Sequence, residues 1–329
     1  MKHRLLGKTG VSVSEIGFGV WTVSTGWWGE KSDEEAVSLL KKAFELGITF
    51  FDTADTYGSG RGETLLAKAF GGSAKVTIAT KFGYNFYEGK RETQREFPQD
   101  FSEKFVRFAL EESLKRLNRQ TIDLYQVHNP RMDAVDHDGL FALLEKFRQE
   151  GKVRAYGVAL GPAIGWKEEG IRAMERRKVH SLQTVYNLLE QEPGRNFFPI
   201  AKITETAILV RVPHSSGLLE GKYTEKTTFP ETDHRSHRPR EWLTEGLKKL
   251  EKLDFLKENM TLGQAALKYI LAEPTVASCL PNIYHEEQLT EFAAASDRPD
   301  LSREAIQRVN DLYAHNFYLE PVEKGVDHG

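Results

Sequence analysis

Cysteine is almost absent from this chain. The single thiol, Cys279, excludes an internal disulfide and a cysteine-rich metal site. Long hydrophobic runs are missing as well: the apolar stretches are strand-sized, too short to cross a bilayer as helices. Behind the basic residues Lys2, His3 and Arg4 there is no apolar core of about 7–15 residues, the mark of a secretory signal. Charge of one sign is lacking too. The 45 basic and 48 acidic side chains are well mixed over 329 residues, leaving a formal net charge of -3. No field of one sign points to nucleic acid or to an anionic membrane. What remains is an enzyme-sized globular composition, 40% hydrophobic and 28% charged. The expected compartment is the cytoplasm, and the expected partner is a small molecule.

What is present is a regular alternation. Residues 3–16 hold two short β-like pieces around Gly7-Lys8-Thr9-Gly10, the pattern of a hairpin. Strand-like runs follow at about 15–21, 48–53, 76–82, 122–128, 153–160, 181–187, 207–213 and 276–281. Most are unbroken Val/Ile/Leu/Phe runs, as in strands covered on both faces. Helical patterns lie between them, at 32–47, 102–118, 139–151 and 261–273. The first opens on an acidic turn after Ser32, gathers Ala36, Leu39, Leu40, Ala43 and Phe44 on one face, and stops at Gly47. This order predicts an α/β fold whose parallel sheet closes into a (β/α)8 TIM barrel, one domain over residues 1–329. An open doubly wound sheet is the alternative. Two long polar loops, 85–100 and 224–241, follow the third and seventh strands. Barrel enzymes build active sites on that face, although solvated insertion accounts for much of such loops equally well.

The second strand runs into "FFDTADTYGSGRGETLL", residues 50–66. Strand, glycine-rich turn and helix suggest a dinucleotide loop, but that fingerprint needs glycine at its first, third and sixth places. Counted from Gly58, the sixth place is Glu63, and the next strand closes on Lys81 rather than on an acid. The glycines are therefore expected to turn the chain tightly after Tyr57 and to start a helix.

Three successive strands each end in an ionisable residue: Asp52, Lys81 and His128. A lysine closing an apolar strand is costly to bury without a carboxylate, and Asp52 is one strand away. Each residue alone is explained by ordinary hydrogen bonding; together, with Tyr57 five residues after Asp52, they suggest proton chemistry. Tyrosine's ordinary pKa of about 10 is too high for an efficient acid at neutral pH, and a nearby ammonium eases the release. Asp52 would hold Lys81, and His128 would orient a carbonyl oxygen beside Tyr57.

Asp52, Tyr57, Lys81 and His128, carried in "FFDTADTYGSGRGE", "ATKFG" and "QVHNP", closely resemble the Asp-Tyr-Lys-His tetrad of the aldo-keto reductases. The likeness runs from the hairpin to "EEQLTEF" near the end. It implies hydride transfer from a nicotinamide cofactor to an aldehyde or ketone, with Tyr57 as proton donor and no metal. It places the cofactor, NADP(H) with NAD(H) as the alternative, against Trp21, Asp52, Gln183, Arg211, Pro213, Ser215, Gly217, Pro281, Asn282, Tyr284, Gln288 and Glu291. Substrate falls to Trp21, Trp28, Tyr57 and His128, within loops that also hold Trp27, Phe82, Tyr84 and Phe86.

The chain departs from the family pattern in three places, after the fifth, seventh and last strands. Ala159 and Leu160 stand where a Ser-Asn pair usually holds the nicotinamide carboxamide, leaving Gln183 for that contact. Arg211 stands where a tyrosine often stacks on the nicotinamide; its guanidinium plane can stack too, favouring reduced cofactor, or it pairs with a strand-end carboxylate. "PHSSGLLEGKY" (213–223) resembles the pyrophosphate-binding stretch, with Ser215, Ser216 and Gly217 offering donors. After the last strand Pro281, Gln288, Leu289 and Glu291 fit, whereas Asn282 replaces a glycine, Tyr284 and His285 replace cations, and Phe292 replaces an adenine-contacting Asn. His234 and His237 have ligand-like spacing but no third ligand nearby, so a solvated loop is expected. Two other functions are weighed: a cofactor-binding regulatory subunit resembling potassium-channel β subunits, and a metal-dependent barrel hydrolase, for which clustered strand-end ligands are lacking.

Overall fold

The computed structural model describes residues 1–87, 97–162 and 166–319, so most of the 85–100 loop lies outside the described residues. Eight strands form one parallel sheet in chain order: β1 (Phe18–Gly19), β2 (Phe50–Asp52), β3 (Thr77–Phe82), β4 (Ile122–His128), β5 (Val153–Ala159), β6 (Ser181–Val185), β7 (Ala207–Arg211) and β8 (Val276–Leu280). The two edges meet at a parallel bridge between Ile16 and Cys279. There Gly17 N donates to Cys279 O (2.8 Å) and Cys279 N donates to Glu15 O (2.9 Å). The edges of an open sheet would be free, so this contact decides for a nearly closed barrel. The first strand is shorter than expected: Trp21–Ser24 turns helical, with Ser24 Oγ bonded back to Val20 O at 2.9 Å.

The hairpin forms as its pattern predicts, His3–Leu5 against Ser12–Ser14. It sends Leu6, Val11 and Val13 into the barrel, where they pack with Phe50, Ala79, Leu124, Ala155, Leu209 and Ala277. That plug seals the N-terminal end, so the opposite rim, where the strands finish, is the open one. Outward-facing residues such as Phe51, Ile78 and Val127 pack under the helices.

Among the described residues the α-helices of eight residues or more are α1 (Asp33–Glu45), α2 (Arg61–Phe70), α3 (Glu103–Leu117), α4 (Asp138–Gln149), α5 (Lys167–Glu175), α6 (Gly194–Thr204), α7 (Arg240–Glu251), α8 (Leu262–Leu271), α9 (Glu286–Ala293) and α10 (Arg303–Ala314). Capping sets several of their starts. Ser32 and Glu35 form a reciprocal capping box on α1, as Thr261 and Gln264 do on α8, and Ser102 caps α3. Each such cap is worth about 1 kcal/mol. An open groove of about 1430 Å³ lies at the plugged end, lined by Arg4, Gly7, Tyr269 and Thr275 among others. It is remote from every ionisable strand-end residue.

Candidate active site

Side chains alternate across the sheet, and the register decides which ones share the interior. Lys81 pairs with Gln126, Gln126 with Gly157, His128 with Ala159 and Ala159 with Gln183. These positions form the upper interior layers, just below the open rim. At their centre Lys81 Nζ donates to Asp52 Oδ1 at 2.5 Å, to Thr53 O at 2.7 Å and to the Tyr57 phenolic oxygen at 3.3 Å. The other Asp52 oxygen accepts from Gln126 Nε2 (3.1 Å) and Gln183 Nε2 (2.9 Å). Burial pushes the Lys81 pKa down, but attraction to Asp52 and to Tyr57 outweighs it and leaves the group raised and protonated. Gln126 was not anticipated. It lies two residues before His128 on the same strand face, a signal that period-2 alternation supplies.

Tyr57 rides on a turn built by glycine. Gly58 (φ +59°) has Ser24 O only 2.4 Å from where a Cβ would stand, and Gly60 (φ +93°) caps α2. The turn after Tyr57 and the helix start thus account for these glycines. Behind it, Glu63 is fully buried, accepting from Thr80 Oγ1 (2.6 Å) and Arg116 Nε (2.6 Å), while Arg116 also reaches the Tyr87 hydroxyl (2.8 Å).

Asp55 shares this pocket with neither carboxylate oxygen hydrogen-bonded. Burial, then repulsion from Glu63, raises its pKa well above the ordinary carboxylate value. The folded state therefore holds this proton more tightly than the unfolded chain, and stability falls as pH rises above the unfolded value of about 4. Asp55→Asn is expected to flatten that fall, which one proton limits to about 1.4 kcal/mol per pH unit. Parallel urea titrations of variant and wild type from acid to alkaline pH check this; equal slopes would contradict it.

His128 lies at the rim with its Nδ1 buried and without a partner. Burial first, then the nearby Lys81 and Arg211 charges, holds its pKa well below the usual histidine value, so the imidazole is neutral. Tyr57 and Tyr84 each meet the ring edge-to-face, at 5.9 and 5.1 Å between centroids. Gln99 Nε2 donates to His128 O at 2.8 Å, tying the loop after β3 to the end of β4.

Of the residues matched to cofactor binding, Pro213, Ser215 and Gly217 lie in the segment after β7, Pro281, Asn282 and Tyr284 in the segment after β8, and Gln288 and Glu291 on α9 that follows it. In the first, Val212, Ser215 and Ser216 adopt positive φ, and Gly217 (φ +95°) leaves room that a Cβ would take from the Tyr223 hydroxyl at 2.2 Å. Ser215 Oγ donates to Glu190 Oε2 (3.2 Å), and Arg238 Nη2 donates to Ser216 Oγ (3.2 Å). At the second, Gln288 accepts from the backbone N–H of Tyr284 (3.0 Å) and His285 (3.1 Å) and donates to Glu220 in the first segment (2.8 Å). Glu291 accepts from Thr261 Oγ1 at 2.5 Å, and Phe292 is fully buried, stacked 4.2 Å from His214. Pro281 lies beside β1, with its carbonyl 3.7 Å from the position of a Cβ on Gly19, and Asn282 follows it partly exposed. Gln183, placed by resemblance on the carboxamide, donates one amide N–H to Asp52. Arg211 pairs with no carboxylate among the described residues; its Nη2 donates to Leu160 O at 2.5 Å.

A family model for the aldo/keto reductase family matches residues 15–314. The chain belongs to the aldo-keto reductases. It is 30% identical to the aldo-keto reductase YhdN of Bacillus subtilis over 99% of this chain and all of that protein. It is likewise 30% identical to the aldo-keto reductase yakc [NADP(+)] of Schizosaccharomyces pombe, over 80% of this chain and 77% of that one. The holo form of aldo-keto reductase AKR11C1 from Bacillus halodurans superposes with a TM-score of 0.78 at 29% identity, over 95% of this chain and 96% of that one.

One wall of this aldo-keto reductase's mouth differs from expectation. Trp21 touches Trp27 (6.2 Å) and Trp28 (6.3 Å), and His234 packs against both Trp21 (5.2 Å) and Trp28 (4.7 Å). Arg235 covers Trp28 at 4.1 Å and salt-bridges Asp233 at 2.5 Å. Residues 233–235 of the 224–241 loop therefore dock on the loop after β1, because indole faces attract the imidazole and the guanidinium, while most of the loop, His237 included, is exposed as expected. Burial pushes the His234 pKa down to about 4. Phe82 faces away from the mouth, stacked on Tyr125 at 4.4 Å. Among the described residues no group of three or more His, Cys, Asp or Glu gathers as a metal site, and no helix is long and apolar enough to cross a membrane.

Proposed function

We propose that this aldo-keto reductase reduces an aldehyde or ketone to the alcohol with NAD(P)H, Tyr57 donating the proton to the carbonyl oxygen. The observation that carries the reading is the shared Lys81 ammonium, bonded at once to Asp52 (2.5 Å) and to the Tyr57 oxygen (3.3 Å) at the open rim. A bound nicotinamide cofactor supplies the hydride. As the Tyr57 proton leaves, negative charge appears on an oxygen that already faces a buried ammonium, which needs no reorganisation to meet it. Asp52, held by Gln126 and Gln183, fixes Lys81 and balances its charge. His128, neutral, positions the carbonyl oxygen without adding a second cation that would disfavour protonated Lys81. Trp21 and Trp28 give the substrate an apolar, aromatic wall.

The residues fit a dinucleotide. The Arg211 Nε and His128 Nδ1 are buried donors or acceptors without protein partners, and the left-handed 215–217 turn forms a cradle of the kind that binds phosphate. Pro213, Ser215 and Gly217 would face the pyrophosphate; Pro281, Asn282, Tyr284, Gln288 and Glu291 would flank the adenosine. NADP(H) is the preferred form, in line with the NADP(+) that the Schizosaccharomyces pombe relative carries in its name. Position 284 carries no cation of its own, but Lys31 Nζ lies 4.2 Å above the Tyr284 ring. Fluorescence titration with NADPH and NADH, followed by a carbonyl panel with the tighter one, tests the assignment; binding without turnover on any carbonyl would contradict it.

The pH dependence follows from His128. With its pKa held well below the usual 6.5, kcat/KM is expected to show no inflection near that value between about pH 5.5 and 8. A leg at about 6.5 that disappears in His128→Asn would show that the imidazole titrates normally, against this account.

A further inference from the structure

Arg211 closes β7 facing the interior, in register with Val185 and Leu280. Its side chain crosses the end of β6 to place Nη2 2.5 Å from Leu160 O beyond β5. Its Nε is buried and has no partner, and no carboxylate lies within ion-pairing distance among the described residues. A guanidinium left with a buried, unused N–H beside a reaction centre is poorly explained as packing.

Its position narrows what that N–H meets. The carbonyl carbon must lie at Tyr57 and His128, on the arc from β2 to β4. The phosphate cradle begins at Pro213, two residues after Arg211. A pyridine ring that joins these two points lies over the ends of β5 to β7. Ala159 and Leu160 have no side-chain donor there, and Gln183 turns its amide nitrogen toward Asp52, one N–H bonded to that carboxylate at 2.9 Å. Resting on the proposed use of a nicotinamide cofactor, we infer that Arg211 Nε–H is the donor to the carboxamide oxygen of the nicotinamide, replacing the side-chain donors missing after β5. This assigns the edge of the guanidinium, whether or not its face also stacks on a ring. The contact is charge-assisted and in-plane, so it selects for an acceptor at the 3-position of the pyridine and favours a carboxylate there over a carboxamide.

The test is equilibrium binding, by calorimetry, of three ligand types to wild type and Arg211→Met: the nicotinamide dinucleotides, their nicotinic acid counterparts, and ADP-ribose with or without a 2′-phosphate, which lacks the pyridine. Arg211→Met is expected to weaken the nicotinamide forms by about 10-fold and the nicotinic acid forms by about 100-fold. ADP-ribose binding should stay within about threefold of wild type. Arg211→Lys, which keeps a charge able to reach Leu160 O, should lose the carboxamide contact but recover part of the carboxylate affinity. It guards against a folding defect in the methionine variant. Equal weakening of all three ligands, ADP-ribose included, or no change in any, would overturn the inference while leaving the proposed function standing. Failure of wild type to bind any of the three would overturn both.

Discussion

Tyr57→Phe is expected to lower kcat for carbonyl reduction by about 10²–10⁴-fold, the range for loss of a positioned general acid. Cofactor affinity should stay within about threefold of wild type, because the phenolic oxygen is bonded to Lys81 and not to any residue of the loops after β7 and β8. The ring itself remains: it packs edge-to-face on His128 at 5.9 Å and lies 4.9 Å from Lys81 Nζ, contacts that phenylalanine reproduces. The loss should therefore appear in kcat and kcat/KM together, with little change in thermal stability. Steady-state kinetics with a cofactor-fluorescence titration on the same preparation separates the two effects. Retention of more than about a tenth of wild-type turnover would remove Tyr57 from the role of proton donor.

Lys81→Met has the second large effect, on stability as well as rate. Lys81 and Asp52 are both buried, so deleting the ammonium strands a carboxylate in the barrel; removing one partner of such a pair costs about 3–5 kcal/mol. Gln126 and Gln183 still donate to Asp52, but neutral amides do not balance its charge. Adding Asp52→Asn removes the stranded charge, so the double variant should recover most of the lost stability. It should not recover turnover, because nothing then faces the phenolic oxygen as its proton leaves. Urea unfolding of wild type, both single variants and the double variant gives the coupling energy. A double variant no more stable than Lys81→Met would mean that the two groups are not an energetic pair.

Much of this was legible in the sequence. The eight apolar runs and their intervening helices are patterns of local chemistry, and a barrel converts chain order directly into spatial order. Asp52, Lys81 and His128 close successive strands, and the structure brings them to one rim with Tyr57 beside them. The ends of the elements were less legible. The first strand shrinks to Phe18–Gly19 because barrel closure falls to the backbone of Glu15 and Gly17 against Cys279. The side-chain network was least legible, since it depends on reach between segments far apart in the chain. No spacing announces that Arg116 will serve Glu63, that Arg211 will cross β6 to Leu160, or that His234 will pack on Trp21 and Trp28. The same holds for Asp55, whose burial without a partner follows from packing rather than from its place in "DTADTYG".

The most direct test of hydride transfer to a carbonyl is isotope tracing from reduced cofactor with both hydrogens at C4 of the nicotinamide replaced by deuterium, run with wild type and Tyr57→Phe over a panel of aldehydes and ketones. The account predicts alcohol carrying one deuterium on the former carbonyl carbon with wild type, and formation slower by at least about 100-fold with Tyr57→Phe. Cofactor that binds but delivers no deuterium to any carbonyl, or equal rates from the two proteins, would contradict it.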